Sequence, residues 1–318
     1  MDNTKTWDDF DSIRVRQYLP PEVFAALQSD EVGEIIATGD GLLFFEKRGE
    51  LIESGKISAT DASGFALAVA GLAGTTLDHK TPALSSALPV PGHPRIEVNI
   101  PPLCSQASFT IRKHSKRIFS LDDYVASGAL TQSQKAFLVE AVASKKNILV
   151  GGGTGSGKTS LTNALLGVLP EVDPACRVAI VEDTRELQTT LRNVEFRLYS
   201  RELPSSLVLK SLMRQKPDRV LLGELRDEAA WTLLEAWGTG HPGGITTTHA
   251  NDACSSLSRV RTLCKRAGVD GVEREISELI NVVVYVRKLP SGQRKVTEVA
   301  EVLPELGPGG AWQIRHVS

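Results

Sequence analysis

Gly152-Gly153-Thr154-Gly155-Ser156-Gly157-Lys158-Thr159 (GGTGSGKT) satisfies the pattern G-x-x-x-x-G-K-[ST] of a phosphate-binding loop. An apolar run over residues 147–151 precedes it, and a helical pattern over residues 158–169 follows it. Glycines let backbone amides turn toward an anion with no Cβ in the way. A helix starting at the end of the loop adds unpaired N–H groups and partial positive charge. Lys158 is then expected to reach the β- and γ-phosphates of ATP, and the Thr159 hydroxyl to ligate Mg2+. Ser160 completes the expected nucleotide-binding run. The plain alternative is a glycine-rich turn with an incidental lysine, and the strand before it and helix after it argue against that.

Outward from the loop, short continuous apolar runs alternate with helical segments. Residues 148–150, 178–181, 220–222 and 245–247 are such runs. They suit strands buried on both faces of a sheet covered by helices, so the C-terminal part reads as a mainly parallel α/β domain. Residues 282–286 and 295–302 read as later strands, the second pairing with a final strand near 312–316.

Ligands of open α/β sheets bind outside the carboxyl ends of the strands, and three further motifs fall at such ends. Residues 219–224 (RVLLGE) stop at Glu224, which could hold a Mg2+-bound water, polarise an attacking water, or be a surface acid just past a strand. Residues 177–183 (RVAIVED) bring Glu182, a candidate general base or water-positioning group, and Asp183, well suited to capping. Residues 243–251 (GGITTTHAN) place His249 where it could contact a γ-phosphate or simply end the strand. Phosphoryl transfer develops charge that an arginine can stabilise, also from a second subunit. Arg226 is one candidate; Arg95 and Arg112, on candidate strands of the N-terminal part, could equally be solvated strand arginines.

The N-terminal part reads as a smaller α+β domain. Residues 20–30 suggest a short helix with proline at its start. Residues 34–38 and 42–47 flank Gly39-Asp40-Gly41, a hairpin signal. Residues 60–77 suggest a small-residue amphipathic helix, and residues 95–100 and 108–113 alternate as strands around the Pro101-Pro102 turn. The expected organisation is an N-terminal domain over 1–115, a linker over 116–130 and the ATPase domain over 131–318. Residues 121–127 and 131–144 carry helical patterns, the second opened by a Thr131/Gln134 capping box.

Composition narrows the class. The 318 residues include 36 Lys+Arg against 38 Asp+Glu, a net charge of −2, so binding of nucleic acid through bulk positive charge is not supported. Residues 1–16 lack a secretory pattern, and the most apolar stretch, 65–74, is half the ~20 residues that span a bilayer. A cytoplasmic protein is expected, peripheral at a membrane at most. Cys104, Cys176, Cys254 and Cys264 form no CxxC pair, so neither a zinc site nor a disulfide framework is expected.

The ordered motifs GGTGSGKT, VEDTREL, PDRVLLGELRDEAA and GTGHPGGITTTHAN resemble those of the secretion and conjugation traffic ATPases, which serve type IV secretion, type II secretion and pilus retraction. The similarity extends into residues 34–49, RIEVNIPP at 95–102 and SFTIRK at 108–113. It implies a RecA-like C-terminal domain, a separate N-terminal domain, and a homo-hexameric ring with ATP between the domains. It also implies roles: Lys158 and Thr159 as the loop pair, Glu182 as the acid of the Asp box, Glu224 as the Walker B glutamate and His249 as the His box. Arg95 and Arg112 match N-terminal arginines that reach nucleotide in relatives. Which of Glu182 and Glu224 activates water stays open. A type II motor usually carries a four-cysteine zinc element, which this chain lacks. The function expected is a motor of a conjugative type IV secretion machine, powering pilus assembly or DNA–protein transfer with inner-membrane components as partners. A DNA-translocating or recombination ATPase of the same fold, or a pilus-retraction or type II secretion motor, is the alternative.

Overall fold

Two patterns of burial divide the chain. In the N-terminal part the inner strands alternate, one side chain in and the next out; from residue 148 onward the central strands are buried on both faces. The computed structural model describes residues 14–47, 50–113, 118–200, 203–226 and 228–318. It separates into two compact units, Met1–Arg117 and Ile118–Ser318. Residues 48–49, 114–117 and Asp227, which fall within stretches read above, lie outside the described residues.

The first unit is a six-stranded antiparallel sheet in the order β3-β2-β1-β6-β5-β4. Its strands are β1 (Val32–Ala37), β2 (Leu42–Lys47), β3 (Glu50–Lys56), β4 (Ala83–Ala87), β5 (Arg95–Asn99) and β6 (Ser108–Arg112). The helices Pro21–Gln28 and Ala59–Leu72 share one core with the inward residues of the sheet. Phe65 of the longer helix meets Phe109 of β6 with ring centroids 4.6 Å apart. Lys113 reaches back to the C-terminal end of the first helix, its Nζ donating to Ala26 O at 2.9 Å, a charge placement that suits the negative end of a helix.

The second unit is an eight-stranded sheet in the order β14-β13-β12-β7-β11-β10-β8-β9. These are β7 (Ile148–Gly152), β8 (Val178–Glu182), β9 (Val194–Leu198), β10 (Arg219–Leu222), β11 (Ile245–Thr248), β12 (Val282–Lys288), β13 (Arg294–Val302) and β14 (Ile314–His316). The six strands from β12 to β9 run parallel; β13 and β14 are added antiparallel. Every residue of β7, β8, β10 and β11 is buried, as expected for strands covered by helices on both faces.

The structure corrects the expected linker over 116–130. Residues 121–126 form a helix with a capping box between Ser120 and Asp123, and Leu121 and Leu130 are buried in the core of the second unit. Two apolar anchors and a backbone bond from Val296 N to Ala129 O make this segment part of the second unit. Strands β3, β4 and β9 were not anticipated. They lie at the edges of their sheets, and their side chains are mostly exposed or half-buried, so no hydrophobic alternation marks them.

One close approach fixes the strand that leads to the loop. A Cβ on Gly151 would lie 2.2 Å from Ser256 Oγ and 3.3 Å from Ser256 Cβ, on the helix Ala253–Arg266 that packs over β7. Gly151→Ala is expected to destabilise the protein by about 1–3 kcal/mol through overpacking, and Ser256→Ala in the same chain to recover part of the loss. Urea unfolding of both single variants and the double variant checks this; strictly additive effects would mean the two positions do not collide.

Candidate active site

β7 delivers the chain into the loop, and the loop turns by means that only glycine tolerates well. Gly155 and Gly157 have φ of +68° and +97°, left-handed values that cost a side-chain-bearing residue. Gly157 is the N-cap of the helix Lys158–Leu166 and offers no side chain to it, so the first amides of that helix are left for an anion. A Cβ on Gly153 or Gly155 would meet nothing within 4 Å, whereas one on Gly152 would lie 2.5 Å from both Ser156 Oγ and Val286 O. The loop is therefore open on its outer side and tightly packed beneath.

Lys158 is buried. Its Nζ donates to Gly152 O and Gly153 O, each at 3.0 Å, and lies 3.3 Å from His249 Nδ1. The other nitrogen of that imidazole, Nε2, is 3.1 Å from Glu224 Oε1. His249 thus bridges the lysine of the loop and the acid after β10. Arg226 Nε donates to Glu224 Oε2 at 2.8 Å, and its Nη1 donates to Asp183 Oδ2 at 2.8 Å. Partial burial works against the Arg226 cation. Its bonds to Glu224 and the charges of Glu224 and Asp183 outweigh that and raise its pKa above the ordinary arginine value.

Glu182 closes the last turn of β8 and is buried. Its Oε1 accepts from the backbone amides of Glu186 and Leu187 at 3.0 and 2.9 Å, while Oε2 is buried with no hydrogen-bond partner. Burial pushes its pKa up to about 7; the two amides pull it back, and the charges of Glu186 and Asp183 add to the rise. Gly223, at the end of β10, admits this side chain closely, since a Cβ there would stand 3.1 Å from Glu182 Cγ. Thr247 of β11 shapes the same turn, its Oγ1 donating to Gly223 O at 2.8 Å.

The strand order explains the convergence. β7, β11, β10 and β8 are successive parallel neighbours, so Lys158, His249, Glu224 and Glu182 all follow the same edge of the sheet. Thr159 and Ser160, half-buried, occupy the first turn of the loop helix. The residues present fit a nucleoside triphosphate with Mg2+: the loop combines open glycines with the buried, unpartnered Ser156 Oγ, and Glu224 and Glu182 lie at or just past the ends of neighbouring parallel strands. Arg95 and Arg112 lie in the first unit, where they are in-register partners on β5 and β6. Arg112 Nε is 3.6 Å from Glu34 Oε1. The structure thus brings Lys158, Glu182, Glu224, Arg226 and His249 together, and pairs Arg95 with Arg112.

Asn163 escaped the sequence reading. Its Nδ2 donates to Glu186 O at 3.1 Å and its Oδ1 accepts from Gln188 N at 2.9 Å, tying the loop helix to the segment after Glu182. The signal was an asparagine on the buried side of a helix.

Fold and site together define a P-loop nucleoside-triphosphatase domain of RecA-like architecture, preceded by a smaller α+β unit. The chain belongs to the family described as "Type II/IV secretion system protein", whose pattern matches residues 82–311. It is similar to the "Probable conjugal transfer protein TrbB" of Sinorhizobium fredii, 38% identical over 290 residues that cover 91% of this chain and 89% of that protein. It is also similar to the "Type IV secretion system protein VirB11" of Bartonella henselae, 32% identical over 295 residues, 78% of this chain and 81% of the relative. In fold it resembles the solved structure of the Legionella pneumophila ATPase DotB, with a TM-score of 0.63 at 21% identity, over 89% of this chain and 79% of that one. Among the described residues no helix is long and apolar enough to cross a membrane.

Burial of Glu182 makes stability depend on pH. Between the ordinary carboxylate range and about 7 the folded chain holds a proton at Glu182 that the unfolded chain has released, so stability falls as pH rises through that window. Glu182→Gln is expected to be more stable than wild type at about pH 8, by on the order of 2 kcal/mol, with the advantage nearly gone at about pH 5. Urea unfolding at the two pH values tests this; an equal difference at both would show that Glu182 is not the group responsible.

Proposed function

We propose that this chain is an ATP-hydrolysing motor of a conjugative type IV secretion machine. It works as a ring of six copies on the cytoplasmic face of the inner membrane, and powers pilus assembly or transfer of a DNA–protein substrate through inner-membrane partners. The observation that carries the ATPase reading is the Lys158–His249–Glu224 bridge at the ends of neighbouring parallel strands, beside an open glycine cradle. The assignment to conjugation rests on the family and on relatives named for conjugal transfer and type IV secretion.

In this reading the triphosphate of ATP lies along the amides of residues 153–159, and Lys158 draws the terminal phosphates toward Glu224. Water attacks the γ-phosphorus in line as the bond to the β-phosphate oxygen breaks, giving ADP and phosphate. Glu224 orients that water and takes up its proton. Glu182 is the less suited acceptor, with one oxygen committed to two amides; it holds the segment after β8 in place. Arg226, pinned between Glu224 and Asp183, orients Glu224. Thr159 and, through water, Glu224 would hold Mg2+, which would supply positive charge to offset that of the phosphates. His249 senses whether a γ-phosphate is present. Arg95 and Arg112 serve as the arginines that stabilise charge developing on the transferring phosphoryl group. Loss of that group changes the conformation of each copy, and the ring passes the movement on.

Lys158→Ala is expected to abolish turnover. Glu224→Gln is expected to keep ATP binding within a few-fold while hydrolysis falls by about 10²-fold or more. Phosphate release and nucleotide binding measured on the purified variants check both. Wild-type turnover in Lys158→Ala would remove the loop from the mechanism, and normal turnover with weak binding in Glu224→Gln would contradict its role as the water-orienting acid.

A further inference from the structure

The order of strands puts the acids on one flank of the loop and leaves the other flank to different residues. β7 lies between β11 and β12. His249, Glu224 and Glu182 follow β11, β10 and β8 on one side, and β12 and β13 occupy the other. Lys158, held against His249, marks the terminal-phosphate end of the cradle. A nucleotide with that end beside Glu224 carries its nucleoside toward the β12–β13 flank.

Arg294 opens β13 on that flank. Its Nε donates to Gly155 O at 3.2 Å, and its Cδ lies 2.8 Å from where a Cβ on Gly157 would stand. One loop glycine is thus bonded to this arginine, and the left-handed one at 157 leaves room for its stem. The Nε bond uses one of five N–H donors of the guanidinium, and the residue is exposed. The same hairpin is tied to the helix Leu121–Ala126, which carries the half-buried Tyr124. Burial raises the phenol pKa to about 12 against the opposing pull of the Arg294 charge. Two bonds lock the elements together: Gln293 Nε2 donates to Ser127 O at 3.2 Å and Val296 N to Ala129 O at 3.0 Å. A planar, exposed cation anchored by its loop bond is chemistry suited to a purine and its ribose.

We propose that Arg294, braced by the Tyr124 helix, is the contact for the nucleoside half of the bound nucleotide, separate from the phosphate cradle. The assignment rests on the ATPase reading above. Stacking and ribose contacts read no base edge, so ATP and GTP analogues feel the arginine alike. The rival is an arginine that only braces Gly155, and a ligand with no nucleoside separates the two.

The test is calorimetric titration of the full chain, wild type and Arg294→Ala, with Mg2+ and either a non-hydrolysable ATP analogue or inorganic tripolyphosphate. Thermal melts confirm that the variant is folded. Arg294→Ala is expected to weaken the ATP analogue about ten-fold, equivalent to about 1.4 kcal/mol, and tripolyphosphate by less than about two-fold. Arg294→Lys, which keeps the charge without the planar fork, is expected to recover only part of the loss. Equal losses for the two ligands, or none for either, would overturn the assignment while leaving the loop's role intact. A wild-type chain that binds neither ligand would overturn the ATPase reading and this assignment with it.

Discussion

Two-sided burial of the central strands is the constraint from which the site follows. A strand covered on both faces has no wet side on which to carry a charge, so charged side chains collect where the strand stops. β7, β8, β10 and β11 are buried throughout, and Lys158, Glu182, Glu224 and His249 lie at or just beyond their C-terminal ends. The exception supports the rule. Arg219 is fully buried, but it begins β10 rather than interrupting it, and its guanidinium donates to Asp173 Oδ2 at 2.9 Å and to Val142 O at 3.0 Å. One end of the sheet is closed by an ion pair; the other is left for chemistry.

The glycine run shows how much of that chemistry is a matter of missing atoms. Gly151 yields to a helix, Gly152 to the loop's own serine and to β12, and Gly153 to nothing at all. Successive residues of one type therefore serve close packing, tight turning and open access in turn. The motif compresses three separate requirements into a single residue type, because each of them excludes a Cβ for its own reason.

The α/β class, the loop and the four motif-bearing strand ends were legible in the sequence because each depends on local pattern: apolar runs, glycine spacing, and an acid or histidine where a run stops. What was not legible depends on distant partners. The edge strand β3 shows almost no buried side chain and so leaves no alternation to detect. Asn163 and Arg294 acquire their relation to the site from residues 23 and 139 positions away in the chain. Residues 116–130 read as a linker because the stretch opens on a basic, polar run; only tertiary burial of Leu121 and Leu130 reveals its later part as core. Arg226 sits two residues from Glu224, yet its sequence neighbourhood gave no hint that Asp183, just past the neighbouring strand β8, would hold its other end.

The double grip of Asn163 has a mechanical consequence. With the donor and the acceptor of one amide spent on Glu186 O and Gln188 N, the helix that begins at Lys158 cannot shift without dragging the strap that leads on toward β9. Strain entering at the helix head is therefore delivered sideways to the rim of the sheet, through a single uncharged side chain whose hold salt does not screen.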